Sequence, residues 1–310
     1  MEKEKVSDWL DNNSEDTGIT DFEIENKKSG ESNHNYIINT EDSRYVLRVS
    51  RKISRESRLE NEAEKLDFLE KQGIDRVPRK IWFRKDTELG EVLIESYVGE
   101  QELDKESMTD GRLRSLAEKL AEIHSMNVSD YSDYSGVEEP EDKNLQKVFK
   151  EDFRDWSKRP YREYLELVEE PDPRITDFFQ KQKQLIEQVP DIRVDRSLVH
   201  GDLGFNVRAT GEDVFIVDWE FSRIDYPDLE IIYCFEHEKL DQDQREVFLK
   251  EYRKHRETEK VFEKIRELYR KFLGFNDMIW AAKRVEQGDE KHRELLDEKL
   301  DHLEKLYREE

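Results

Sequence analysis

The sequence predicts an α+β protein in two lobes: a small antiparallel sheet with one helix over residues 1–98, then a larger, mostly helical part over 99–310. Three observations lead there. Short apolar runs alternating with polar residues, each bounded by a turn signal, recur through the first lobe. Beyond residue 110 the apolar residues fall at helical spacing almost to the end of the chain. Between Ser197 and Glu220 that helical pattern gives way to two strand-like runs with polar residues between them.

The first 20 residues are polar and acidic, with Trp9 and Leu10 as the one large apolar pair, which suits either a short helix packed on the body or a frayed end. Phe22-Glu23-Ile24 alternates as a half-buried strand does. The turn Ser29-Gly30-Glu31-Ser32-Asn33 leads into a second strand, Asn35 to Ile38, and Glu41-Asp42-Ser43 turns into a third, Tyr45 to Val49. On that third strand Val46 and Arg48 share a face. If the face covers a nucleotide, Val46 floors the base and Arg48 reaches the phosphates. Arg55 to Gln72 reads as a helix through Leu59, Ala63, Leu66 and Leu69, with Gly73 as its stop. Glu62 lies on an adjacent face, from which a carboxylate can fix Arg48 toward phosphates. Ile81-Trp82-Phe83 and Glu91 to Tyr97 complete the sheet, and the polar stretch from Gly99 to Asp110 marks the lobe boundary.

In the second lobe Leu113 to Met126 is an amphipathic helix, with His124 as a packed or capping histidine. A polar loop, Tyr131 to Asp142, follows. Helical patterns then cover Leu145 to Trp156, Tyr161 to Val168 and Pro173 to Gln188. Beyond the strand-like runs they cover Asp228 to Phe235, Gln242 to Arg256, Glu259 to Val285 and Asp289 to Leu306. The last of these carries a seam of Leu295, Leu296, Leu300, Leu303 and Leu306, too short for a coiled coil and therefore read as packing within the chain.

Composition narrows the function. The net charge is −24, from 53 basic and 77 acidic residues among 310. Such a surface repels nucleic-acid phosphates and anionic membranes, so no nucleic acid and no membrane is expected as a partner; it could favour a cationic substrate, though an excess of acidic residues is more often plain solvation. Cys234 is the one cysteine and cannot form an internal disulfide. No apolar run approaches the ~18 residues of a membrane span, and MEKEKVSDWL is no signal peptide. A soluble, cytoplasmic protein is the expectation; the oligomeric state is unknown.

The chemistry concentrates in SLVHGDLGFNVRATGEDVFIVDWE, Ser197 to Glu220. Here His200-Gly201-Asp202 follows one apolar run, Asn206 comes four residues after Asp202, and Asp218 ends the second run. Two carboxylates and a carboxamide are thus expected at one end of a hairpin formed by the two runs. Phosphoryl transfer from a metal-bound nucleotide needs such a set: one carboxylate to orient the acceptor hydroxyl and take its proton, and an oxygen-rich pair to hold magnesium. Asp202 is then the catalytic base, and Asn206 and Asp218 are the metal ligands. His200 is expected to brace the loop.

These elements, in this order, resemble the aminoglycoside phosphotransferases and choline-kinase-like small-molecule kinases, a group with the bilobal protein-kinase-like fold. HGD at His200 to Asp202 looks like their catalytic loop, and IVDWE at Ile216 to Glu220 like their metal-binding segment. SGESNHNY looks like their nucleotide loop, which puts Ser29, Gly30, Ser32 and Asn33 at the donor. YVLRV looks like the strand with the phosphate-binding basic residue, Arg48, and ENEAEKLDFL supplies its partner, Glu62. VLIESYVGE looks like the hinge strand, with Glu95 and Tyr97 beside the nucleotide, and LAEKLAEIH like the first large helix of the second lobe. The resemblance implies Mg2+, ATP or GTP as donor, and a small-molecule acceptor such as an aminoglycoside, amino alcohol or sugar. Glu220, Asp225, Asp228 and the region Asn276 to Trp280 are the candidates for acceptor contacts. One departure stands out: the group usually has its metal-binding Asn five residues after the catalytic Asp, not four. That shortening favours an alternative, a pseudokinase that binds nucleotide or a partner without turnover. A protein kinase fits less well, since no APE-like segment follows Asp218.

Overall fold

Five strands pair into one antiparallel sheet in the computed structural model, which describes residues 2–26, 33–51, 59–104, 106–128, 143–204 and 206–308. They are β1 (Glu23–Asn26), β2 (Asn33–Asn39), β3 (Arg44–Ser50), β4 (Lys80–Thr87) and β5 (Gly90–Ser96), in the order β1-β2-β3-β5-β4. Strand alternation gives the sheet two different faces. Tyr36, Ile38, Leu47, Val49, Val92 and Ile94 form a core with Val6, Trp9 and Leu10 of α1 (Lys3–Asn12). The Trp9–Leu10 pair therefore belongs to a helix packed on the body, not to a frayed end, and Trp9 meets Trp82 edge-on at 5.5 Å. A one-turn helix, α2 (Ser14–Thr17), follows α1. The other face carries polar residues. Asn35 pairs with Arg48 and Val46 with Glu95 across neighbouring strands. Leu59 and Ala63 of α3 (Leu59–Lys71) pack with Leu93 there. Gly73, at φ +76, ends the turn after that helix. The expected helix start at Arg55 lies outside the described residues, as do the Tyr131–Asp142 loop and Ser29, Gly30 and Ser32.

The chain divides into two compact units, one of Met1–Glu139, Ser197–Asp225 and Tyr233–Glu257, the other of Pro140–Arg196, Tyr226–Ile232 and Thr258–Glu310. In the first unit β6 (Gln101–Glu102) leads into α4 (Asp110–His124), whose first turn is capped by the Thr109 side chain. His124 is buried, and its Nδ1 meets the Tyr252 hydroxyl at 2.9 Å, so it is a packed histidine.

In the second unit β7 (Lys143–Asn144) pairs with β8 (Arg193–Val194). Here α5 (Leu145–Asp152) runs through a π-helical turn, Phe153–Lys158, into α6 (Arg159–Leu165), where the sequence suggested two separate helices. Pro160 has no N–H to return along the helix, and the wider register just before it takes up that mismatch. α7 (Pro173–Gln188) follows.

Back in the first unit, the structure corrects the expected hairpin. β9 (Ser197–Val199) does not pair with the second apolar run. The hairpin is β10 (Val207–Thr210) with β11 (Asp213–Ile216), while β9 pairs with β12 (Arg223–Asp225). Val207-Arg208-Ala209 has too little apolar character to announce a strand. β6 adds to the other edge of β10.

α8 (Pro227–His237) contributes residues to both units, and α9 (Gln242–Tyr252) belongs to the first. In the second, α10 (Phe262–Glu286) packs with α11 (Arg293–Arg308). Leu300, Leu303 and Leu306 are fully or almost fully buried, so the seam packs within the chain, with Leu295 and Leu296 only partly covered. No described helix is long and apolar enough to cross a membrane.

Candidate active site

The polar face of the sheet and the open end of the β10–β11 hairpin, both in the first unit, enclose a cleft of about 190 Å³. Asn35, Val46, Arg48 and Glu95 line it from the sheet, and Asn206 and Asp218 from the hairpin. Hairpin pairing is what joins the last two. Val217 donates its N–H to the carbonyl of Asn206 at 2.9 Å, so the residues flanking the paired strands emerge side by side.

Arg48 is the hub. Its Nη1 donates to Oε1 of Glu62 at 2.5 Å and its Nη2 to Oδ1 of Asp218 at 2.9 Å. Both Arg48 and Glu62 are buried; Asp218 keeps 34% of its side chain exposed. Burial alone would lower the guanidinium's pKa, but Glu62, Asp218 and Glu95 hold it above its ordinary range. Burial pushes the Glu62 carboxyl up, and Arg48 opposes that rise. Asp218 itself sits at φ 69, in left-handed backbone that a non-glycine residue occupies at a cost. That twist turns the next N–H, of Trp219, onto Oε1 of Glu62 at 3.0 Å. Glu62 thus holds both the cation and the strained segment.

His200 is fully buried and ties the two motifs together. Its Nε2 meets the carbonyl of Val217 at 3.0 Å, and its Nδ1 accepts from the Asp202 N–H at 3.3 Å. Those partners assign the proton to Nε2. Gly201, at φ +83, makes the turn possible: a Cβ there would stand 2.4 Å from the carbonyl oxygen of Phe221. Asn206 donates its Nδ2 to the carbonyl of Asp202 at 2.6 Å, so its side-chain oxygen is the atom that could hold a cation.

Sequence reasoning left out several members of this site. Arg208 is buried, lines the same cleft, donates to the Tyr97 hydroxyl, and places its guanidinium carbon 4.4 Å from that ring's centre. Arg44 approaches the same ring at 4.1 Å. A lone arginine between apolar residues gave no signal of this. Asn33, from the expected nucleotide loop, is buried and donates to Oε2 of Glu220 at 3.2 Å, and Asn61 donates to the Glu220 carbonyl at 3.1 Å. Of the acceptor candidates, Asp225 accepts from Arg223 at 2.9 Å. Asp228 is buried in the second unit and accepts from the Tyr226 hydroxyl and the Glu259 N–H. Trp280, also in the second unit, is 48% exposed, with His292 edge-on to its ring.

The family description "phosphotransferase enzyme family" matches residues 23–268. Solved structures share the fold at low identity. A choline kinase from Streptococcus pneumoniae is 20% identical with a TM-score of 0.63, over 96% of this chain and 99% of that one. A GDP complex of an aminoglycoside 2'-phosphotransferase is 18% identical with a TM-score of 0.65, over 99% and 98%. A spectinomycin phosphotransferase with ADP and spectinomycin is 14% identical with a TM-score of 0.61, over 98% and 94%. No curated protein sequence gives a significant match.

Proposed function

The chain belongs to the phosphotransferase enzyme family, and from that premise we propose that it is a small-molecule kinase, moving the terminal phosphoryl group of Mg-ATP or Mg-GTP to a hydroxyl of a cationic small molecule. The observation that carries this reading is the buried Arg48, shared between Glu62 and Asp218 in a cleft that Asn206 also lines. A cation fixed in this way beside two oxygen donors suits the terminal phosphates of a nucleotide and a hard metal ion.

Asn206 and Asp218 fit magnesium in kind, a neutral and a charged oxygen donor, with phosphate oxygens and water to fill the remaining positions. When bound, magnesium neutralises charge on the phosphates. The protein's own residues do the rest. Val46 floors the base, and Glu95 and Tyr97 flank it. Arg48, aimed by Glu62, holds the transferring group. Asp202 accepts the proton of the acceptor hydroxyl as its oxygen bonds to phosphorus and the bond to the nucleoside diphosphate breaks. In this scheme residues 1–98 hold the donor, and residues 99–310 supply the base, the metal ligands and the acceptor site. The net charge of −24 favours an amino alcohol or amino sugar.

A second reading, binding without turnover, draws on one feature: Oδ1 of Asp218 is held by Arg48, beside a loop one residue short. Calorimetric titration with non-hydrolysable ATP and GTP analogues, with and without magnesium, tests the site. Magnesium-dependent binding lost in Asp218→Asn is expected, and no binding of either analogue would end the kinase reading. Turnover against aminoglycosides, choline and amino sugars then separates the kinase from the silent binder.

A further inference from the structure

Asp202 is gripped from outside its own loop. The Tyr233 hydroxyl, on α8, donates to Oδ1 of Asp202 at 3.0 Å. One turn along the same helix, His237 stacks on the Tyr233 ring, with centres 5.2 Å apart and 28° between the planes. His237 in turn lies against Gly204, where a Cβ would stand 2.2 Å from its Nδ1. Glycine at that point of the loop is what admits the imidazole. From within the loop, Asn206 reaches only 3.5 Å from Oδ2, the outer limit of a hydrogen bond.

We propose that Tyr233 is the positioning residue for Asp202: its hydroxyl pins Oδ1, which leaves Oδ2 to receive the acceptor's hydroxyl, and His237 fixes the ring that carries it. The Gly204–His237–Tyr233 stack thereby braces the carboxylate from the neighbouring helix. The inference rests on the reading of Asp202 as the base. Tyr233 acts through that carboxylate, so its effect must vanish when the carboxylate is gone.

A double-mutant cycle tests this. Mg-nucleotide turnover, with water and with the acceptor panel, is measured for wild type, Tyr233→Phe, Asp202→Ala and the double variant. Removing one hydroxyl leaves the ring stack in place, and thermal melting of Tyr233→Phe checks that the fold is intact. The expected result is a fall in kcat on the order of tenfold for Tyr233→Phe, with the KM for nucleotide unchanged and no further loss when Asp202→Ala is already present. Turnover of Tyr233→Phe equal to wild type, or the same proportional loss in both backgrounds, overturns the positioning role. Asp202→Ala matching wild type instead sinks the assignment of Asp202, and this inference with it.

Discussion

Glu62→Ala should cost this protein both stability and turnover, and the structure sets the amounts. Oε1 of Glu62 accepts from Arg48 at 2.5 Å and from the Trp219 N–H at 3.0 Å, and neither Arg48 nor Glu62 is exposed. Breaking a buried ion pair by removing one partner costs ~3–5 kcal/mol. Arg48 keeps its bond to Asp218 at 2.9 Å, so the low end, about 3 kcal/mol, applies. The stranded Trp219 N–H adds about 1 kcal/mol. A total near 4 kcal/mol is a large share of the ~5–15 kcal/mol of a typical domain. Glu62→Gln keeps an oxygen for both donors and should lose only about 1–2 kcal/mol. On the proposed reading, the guanidinium of the alanine variant closes further on Asp218, away from the phosphates and onto the proposed metal ligand, for a loss on the order of a hundredfold in turnover. Urea unfolding at constant m-value and nucleotide kinetics, run on both variants, measure the two effects. An alanine variant that stays within about 1 kcal/mol of wild type, with unchanged kinetics, would refute the claim that Glu62 holds the site together.

Three further outcomes are expected. Burial pushes the Lys65 ammonium down to about 8 from 10.5, with Glu64 opposing. A group depressed in this way contributes stability above its unfolded value that is lost as pH falls through its folded one. The wild type should therefore gain ~1–2 kcal/mol between about pH 8 and about pH 10.5 after solvent screening, and urea midpoints of Lys65→Met should lack that gain. Gly204→Ala drives a methyl to 2.2 Å from His237 Nδ1 and should lower stability by ~1–3 kcal/mol, with His237→Ala restoring most of it in thermal melts. Finally, a net charge of −24 repels itself, so the melting temperature should climb as NaCl rises from about 0.01 to about 0.5 M.

Much of this architecture was legible because the sheet's two faces differ so strongly. Val46 and Arg48 alternate with Leu47 and Val49, and the first pair lines the cleft while the second fills the core. Asp218 stands directly where an apolar run ends, and Asp202 follows another after His200 and Gly201, which made both positions stand out in the sequence. Pairing was harder to see. The first run turned out to belong with Arg223–Asp225, and the hairpin strand that had been missed holds an arginine at its second position. Arg208 and Tyr233 were invisible for a related reason: their contacts come from what folding sets beside them, the ring of Tyr97 and the carboxylate of Asp202, and no local spacing encodes that. Likewise Trp9 and Leu10 allowed a buried helix face without saying which face of the sheet it would seal.

The most direct test of the whole account is transfer of labelled terminal phosphate from Mg-ATP and Mg-GTP to the acceptor panel, by wild type and by Asp202→Ala at low and high ionic strength. The account predicts acceptor-stimulated transfer by the wild type that disappears in Asp202→Ala, while both proteins bind nucleotide alike. Transfer that persists undiminished in Asp202→Ala would contradict it.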